Sequence, residues 1–290
     1  LAFAHAVATP YRGKRSHFDG QDLLEAGLPN VTSTLRESGW MNRMLQSVPG
    51  VTAQTAYAIG RSDMRLMQGA AEVANWSPDA GLDLSPQAVR LMELVTESDP
   101  AMHAALSEAR VLAAAGQEMS SNGRAPSHVE IAEFAAKRLS QEARIAAFSL
   151  NGWDTLLCQD RFLGRALERL AETLVTLKDK MRGNTWRKTA VIAMTEFGRT
   201  ARQNGTAGTD HGTGGLMVLA GGAVRGGQVH GKWPGLGDGY LFDDRDLMPT
   251  GDVRAHAAWV MRGLTGLDKG VLESASFPGM DMGSDPGLLL

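Results

Sequence analysis

Five consecutive apolar residues, AVIAM at 190–194, lead directly to Thr195 and an acid, Glu196. So short and uniform a run has neither the three-and-four spacing of an amphipathic helix nor the alternation of a half-exposed strand. It reads as a strand covered on both faces, and strands of that kind lie inside sheets. The expectation is that Glu196 closes a central parallel strand and delivers its carboxylate to the rim of the sheet. The polar, glycine-dotted residues 197–209 then fold back, bringing Asp210 and His211 to the same rim. Asp154 reaches that rim from a nearby strand, and Ser16 faces it.

The rest of the chain supplies neighbours for such a strand. LAFAHAV at the start reads as a short buried strand ended by Pro10, RIAAFSLNGWD as a compact apolar run ending at Asp154, and GGLMVLAGG as a further strand. GGQVHGKWPG reads as a glycine-bounded ribbon, while AQTAYAIG and LMQGAAEVANW carry weak strand or loop signals. Helical spacing begins at Ser16, with Asp19 three residues on and Gly27 as the stop, and returns at 35–48. It continues through a block from Ser85 to about Leu139, and again at 159–181, where Leu163, Leu167, Leu170, Leu174 and Leu177 share one stripe. Asp252 is placed to cap a last helix running to about Leu264. Strands alternating with helices predict an α/β protein with a mostly parallel, doubly wound sheet. A single domain over 1–290 is expected, with a helical insertion or cap at 85–140.

Bulk composition narrows the partners. The 290 residues are 43% hydrophobic and 21% charged, enough apolar material for a sizeable core. The net charge of −3 offers no basic field for nucleic acid or anionic lipid. No apolar run approaches the roughly 20 residues needed to span a bilayer. A single cysteine, Cys158, excludes an internal disulfide and a cysteine zinc cluster. The chain begins at Leu1 inside an apolar run without a basic flank, so an N-terminal segment is expected to precede it.

Four places carry chemistry-bearing residues, and each has a structural alternative. Asp210-His211-Gly212 sets a hard oxygen beside an imidazole nitrogen, a pairing that zinc or manganese accepts; it also fits an Asx turn beside a solvated histidine. Glu196 either enters a cleft or pairs with Arg199. Ser16 is a natural helix N-cap, and the same position directs a hydroxyl toward an anion held at the helix N-terminus. Asp154, after Gly152, is a turn residue or a metal ligand. AGGAVRGG lacks both the spacing of a dinucleotide loop and the Lys-Ser/Thr of a phosphate loop, so its glycines read as turns. His103 and His128 belong to the helical block, whereas His5, His17 and His230 have no assigned role.

RSHFDGQDLLEAG, GWMNR, NGWDT, MTEFGRT with GTDHGTGG, GGAVRGGQVHGKWPGL and DLMPTGDVR with FPG, in that order over essentially the whole chain, resemble the bacterial domain-of-unknown-function family 1501. The resemblance implies a branch of the alkaline phosphatase and sulfatase superfamily, with members exported by the twin-arginine route, hence a periplasmic or secreted protein. It implies a two-metal site at the carboxyl edge of an alkaline-phosphatase-like sheet, holding one or two divalent ions (zinc, manganese or calcium). On this chain the nucleophile falls on Ser16 and the metal ligands on Asp154, Glu196, Asp210 and His211. Arg15, His17, Arg199 and Asn204 are the accompanying substrate-binding candidates, for a phosphate or sulfate ester on a small molecule or glycan. The sequence departs from the pattern in three respects. The early aspartate is absent, Leu156 stands where the family carries histidine, and Phe197 follows the strand-end acid in place of histidine. An exported, non-catalytic anion- or glycan-binding protein is the alternative function.

Overall fold

Small side chains let the first strand lie deep in the molecule. Ala2, Ala4 and Ala6 of β1 (Ala2–Ala8) are fully buried, with Val7 nearly so. The computed structural model describes residues 1–13, 15–30, 37–60, 64–76, 91–92, 94–96, 99, 102–103, 106 and 126–290. Among them β1 is the centre of the main sheet. It pairs antiparallel with β8 (Gly215–Ala220) on one side, and parallel with β9 (Val229–His230) and β10 (Gly251–Asp252) on the other. Beyond β8 lies β5 (Val191–Ala193), antiparallel to it. A second sheet of three parallel strands has the order β3 (Ala74–Trp76), β2 (Ala56–Ile59), β4 (Ile145–Phe148).

The protein is therefore mixed α/β, with small sheets of mixed direction rather than one mostly parallel sheet. The cause is visible between β5 and β8. Parallel neighbours need a crossover of a dozen or more residues, usually a helix, and residues 195–214 contain none. The chain returns through loops and short hairpins and enters β8 antiparallel. Two antiparallel steps, β1 to β8 and β8 to β5, leave β1 and β5 running in the same direction, so their carboxyl ends share an edge.

The apolar run that contains β5 is not central: among the described residues β5 pairs only with β8. It is apolar on both faces because it lies between two packed clusters. Ala190, Ile192 and Met194 pack on the core built from β1, β8, α2 (Trp40–Leu45) and α5 (Val253–Thr265), while Val191 packs on the cluster beneath the second sheet.

Helix ends follow the sequence closely. In α1 (His17–Ala26), Gly27 ends the helix in the left-handed region at φ 67°, which glycine adopts without a Cβ penalty. Helix α3 (His128–Leu139) starts at a reciprocal capping box, with Ser127 accepting from the Glu130 N–H and the Glu130 carboxylate accepting from the Ser127 N–H. Its partner α4 (Gln159–Lys180) buries Leu177 but leaves Leu167 half exposed, so the expected leucine stripe is covered over only part of its length. Asp252 caps α5 by accepting from the Arg254 N–H at 2.9 Å. Of the helical block expected at 85–140, residues 91–92, 94–96, 102–103, 106 and 128–139 are described and helical, and most of the rest lies outside the described residues. No helix among the described residues is long and apolar enough to cross a membrane.

One core histidine gives a stability prediction. His256 on α5 donates from Nδ1 to the Asp252 carbonyl at 3.1 Å, and burial lowers its pKa from 6.5. The unfolded chain thus binds this proton more readily than the native protein does. His256 contributes its full stability above about pH 6.5, and that contribution is lost as pH falls toward the lower native value. Urea midpoints at pH 7.5 and pH 5.0 should differ less for His256→Asn than for the parent chain. An unchanged difference would rule out His256 as a source of the acid sensitivity.

Candidate metal centre

Four chain segments converge at the edge where β1 and β5 end. After β1, residues 9–16 lead into α1, whose first residue is His17. Asp154 follows β4, and Glu196 lies three residues beyond β5. The two-residue strands β6 (Gly198–Arg199) and β7 (His211–Gly212) form a small antiparallel pair in which Arg199 is opposite His211. Cross-strand partners project to the same face, so this register sets a guanidinium beside an imidazole. Residues 204–209 are laced onto 155–159 by the bonds Cys158 N–H to the Thr206 carbonyl, Gln159 N–H to Ala207, and Thr209 N–H to Thr155. That lacing folds the loop back and carries His211 toward Asp154.

The resulting cluster is His17, Asp154 and His211, whose potential ligand atoms all lie within 4.8 Å of one another. His211 Nε2 is 2.9 Å from Asp154 Oδ1, and His17 Nε2 is 3.4 Å from Asp154 Oδ2. Each imidazole is oriented from its other nitrogen. His17 Nδ1 lies 2.7 Å from Glu196 Oε1, and His211 Nδ1 lies 3.3 Å from the Arg15 carbonyl. A carboxylate and a carbonyl only accept, so both Nδ1 atoms are donors. With a neutral ring, each Nε2 then presents a lone pair to the Asp154 carboxylate. Three lone-pair groups facing one another are relieved only by a proton or a cation, and two imidazoles with a carboxylate are donors that zinc or manganese accepts. An acceptor fixing the far nitrogen of a ligating histidine is the usual support for such a site.

Where a proton rather than a cation relieves the contact, the protonated rings donate from Nε2 to Asp154. The hydrogen bond to Glu196 is the strongest influence on His17 and holds its pKa above the ordinary value, against the opposing effect of burial. At Asp154, desolvation is the strongest influence and acts upward. The hydrogen bonds from Arg199 and His211 and the charges of those two groups outweigh it, so the carboxyl lies below its usual value. Phe197 walls the cluster on one side, stacked on the His211 ring at 5.1 Å and tilted against His17 at 5.5 Å; the two imidazoles meet edge to face at 4.4 Å. Helix α1 approaches this wall closely because residue 20 is glycine: a Cβ there would sit 2.8 Å from the Phe197 ring.

The other expected site residues lie at varying removes. Glu196 is one step away, bonded to His17 and to the Gln21 amide at 3.2 Å. Asp210 faces away from the imidazoles, accepting from Asn204 Nδ2 at 2.8 Å and pairing with Arg245 at 3.7 Å. Asn204 staples its own loop: its amide nitrogen also donates to the Leu156 carbonyl, and its oxygen accepts from the N–H groups of Thr206 and Gly208. Arg199 donates to Asp154 Oδ1 at 2.8 Å and to the carbonyls of Trp153 and Thr209. Arg15 donates to Asp246, and Ser16 is the N-cap of α1 but makes no side-chain capping bond to it.

Asp246, with Gln21 and Arg245, was not anticipated from the sequence. It is completely buried and accepts from Arg15, Thr213 and Arg245, tying the segment before α1 to the bend between β7 and β8. Nothing local marks it. It is one of three aspartates in DDRD, and its burial arises only when distant segments close over it.

No curated protein and no solved structure matches the chain. The profile of one family, described as "Protein of unknown function (DUF1501)", matches residues 8–255 and so spans every segment that builds this cluster. The chain belongs to the DUF1501 family.

Proposed function

We propose that this protein is a metal-dependent, hydrolase-like member of the alkaline phosphatase and sulfatase superfamily, acting on phosphate or sulfate esters of a small molecule or glycan outside the cytoplasm. The observation that carries this reading is the pair of imidazoles whose Nδ1 atoms are engaged by acceptors while both Nε2 atoms face Asp154. His17, Asp154 and His211 would hold the ion, with Glu196 orienting His17. The nitrogen-rich donor set suits zinc or manganese better than calcium, which takes six to eight oxygens. When bound, such a cation supplies charge stabilisation to an anionic ester and acidifies a nearby hydroxyl.

The chain's own residues supply the rest. The Ser16 hydroxyl at the N-terminus of α1 is placed where backbone N–H groups and the helix dipole favour an anion, so it is the candidate nucleophile. Phe197 excludes water from one side of the imidazoles. A second reading, anion binding without turnover, is favoured by one feature: Leu156, two residues after Asp154, offers no ligand atom where the family pattern has an imidazole.

Zinc- or manganese-loaded protein should hydrolyse p-nitrophenyl phosphate or p-nitrophenyl sulfate. Asp154→Ala should weaken zinc binding by about 100-fold or more, beyond the effect of losing only an orienting group. Ser16→Ala should lose turnover while retaining zinc. Zinc retention with no turnover of either ester by the parent chain would favour the binding reading. Turnover undiminished in both variants would sink the site assignment.

A further inference from the structure

The cluster of His17, Asp154 and His211 accounts for one cation. A second would need acids of its own, and the two other acids expected as ligands are engaged elsewhere: Glu196 by His17 and Gln21, Asp210 by Asn204 and Arg245. No other group of three His, Cys, Asp or Glu residues among those described brings ligand atoms together closely enough to hold an ion. One oxygen of Asp154 is already engaged by a guanidinium. Arg199 Nη2 lies 2.8 Å from Oδ1, the oxygen that also faces His211.

That guanidinium is fixed independently of Asp154. Nη2 donates to the Trp153 carbonyl at 2.7 Å and Nη1 to the Thr209 carbonyl at 3.1 Å. These carbonyls orient the group without neutralising it. Its ion-pair partner is Asp154, which it shares with both imidazoles. A divalent cation on Asp154, with Glu196 behind His17, would balance both carboxylates and leave the charge of Arg199 uncompensated. A second divalent cation would add two further positive charges, and among the described residues no second cluster of ligands meets them.

We propose that the site takes a single divalent cation and that Arg199 supplies the second positive charge, binding the anionic oxygens of the ester. The inference rests on the metal reading above and sharpens it. A guanidinium suits this role because it stays charged at any working pH, and of its five N–H donors three go to the Trp153 and Thr209 carbonyls and to Asp154 among the described residues, leaving two for an anion. Arg199 is about three-quarters buried, so it meets an anion in a partly desolvated setting where the attraction is strong.

The test counts ions and measures an anion separately. The full chain is equilibrated with excess zinc, freed of unbound metal and analysed by plasma mass spectrometry, and inorganic phosphate is then titrated calorimetrically into the loaded protein. One zinc per chain is expected, both in the parent and in Arg199→Met. Phosphate affinity should fall about tenfold or more in Arg199→Met and partly recover in Arg199→Lys, since one good charge-assisted contact is worth about that much. Two zinc ions per parent chain would overturn the inference while leaving the metal site standing. Equal phosphate affinity in the parent and Arg199→Met, with one zinc in each, would also overturn it. No retained zinc in the parent would overturn the metal reading itself, and this inference with it. The count on the parent chain needs no variant to fold.

Discussion

Replacing Arg43 with methionine should lower stability by about 4 kcal/mol, read as a shift in the urea midpoint, because several buried carbonyls lose their donor at once. Arg43 sits on α2, 7% exposed, and among the described residues its guanidinium donates to neutral groups: the carbonyls of Ala26, Ser38, Ala275 and Ser276 and the Ser38 hydroxyl. Burial pushes its pKa down to about 10, still far enough above neutrality for the charge to persist at pH 7. The side chain thus joins the end of α1, the approach to α2 and the C-terminal segment. Methionine keeps much of the volume but leaves each carbonyl dry and unpaired, at about 1–3 kcal/mol apiece before relaxation. Lysine keeps the charge but not the fork, so Arg43→Lys should lose most of the same stability. Because α1 carries His17 and Gln21, loosening its end should also weaken zinc binding. A loss below about 1 kcal/mol in Arg43→Met would show that water reaches these carbonyls and that the clamp is not structural.

The clamp also shows what the sequence conveys and what it withholds. GWMNR was recognisable as part of a family pattern, but nothing in it marks Arg43 as buried, since its partners come from residues 26, 38, 275 and 276. Local rules worked where the chemistry is local. Gly27 ends α1, Asp252 caps α5, and the long helix spans Gln159–Lys180, one residue short of the expected end. Strand direction was not legible in the same way. The composition of 190–194 predicts a central, parallel strand, yet a strand lying between two clusters has the same composition as one inside a parallel sheet. Only the absence of a helix between β5 and β8 separates the two cases. Ser16 makes the same point in reverse. With Asp19 three residues on it looked like a capping box, but its side chain makes no capping bond, and Tyr11 donates to Asp19 at 3.1 Å instead.

At the candidate site, Asp154 and Glu196 are legible as acids closing apolar runs, and His211 as an imidazole at the end of the polar loop that returns from Glu196. The family resemblance puts His17 among the substrate-binding candidates, and only the geometry brings it into the cluster. A histidine at a helix start is common, and its partners lie 137 and 179 residues away. Phe197 was legible only as a departure from the family pattern, whereas in the fold it stacks on His211. Asp210 carried the strongest local signal beside His211, but adjacent residues in an extended segment point to opposite faces. One of the pair turns to the imidazoles and the other to Asn204 and Arg245.

The backbone crossing that creates this arrangement yields the last prediction: Gly198→Ala should weaken zinc binding by about 100-fold or more and destabilise the fold by about 3 kcal/mol. A Cβ on Gly198 would stand 1.7 Å from the Gly214 carbonyl oxygen, so two main chains touch there with no room for a side chain. The same is true of the neighbouring contacts. A Cβ on Gly212 would lie 2.3 Å from the Arg199 carbonyl carbon, and one on Gly214 would lie 2.6 Å from the Leu247 oxygen. Backbone cannot turn aside as the end of a flexible side chain can. Relief requires β6 to part from the segment leading into β8, and that movement carries Glu196 and Arg199 away from His17 and Asp154. The glycines of FGRT and DHGTGG are therefore what allow the guanidinium, both acids and the imidazoles to occupy one small volume. Gly205→Ala is the matched control, because it lies in the intervening loop with nothing within 4 Å of its would-be Cβ. It should change stability by no more than about 0.5 kcal/mol and leave zinc affinity unaltered. If Gly198→Ala behaved as Gly205→Ala does, the close crossing of β6 and residue 214 would not be what positions the cluster.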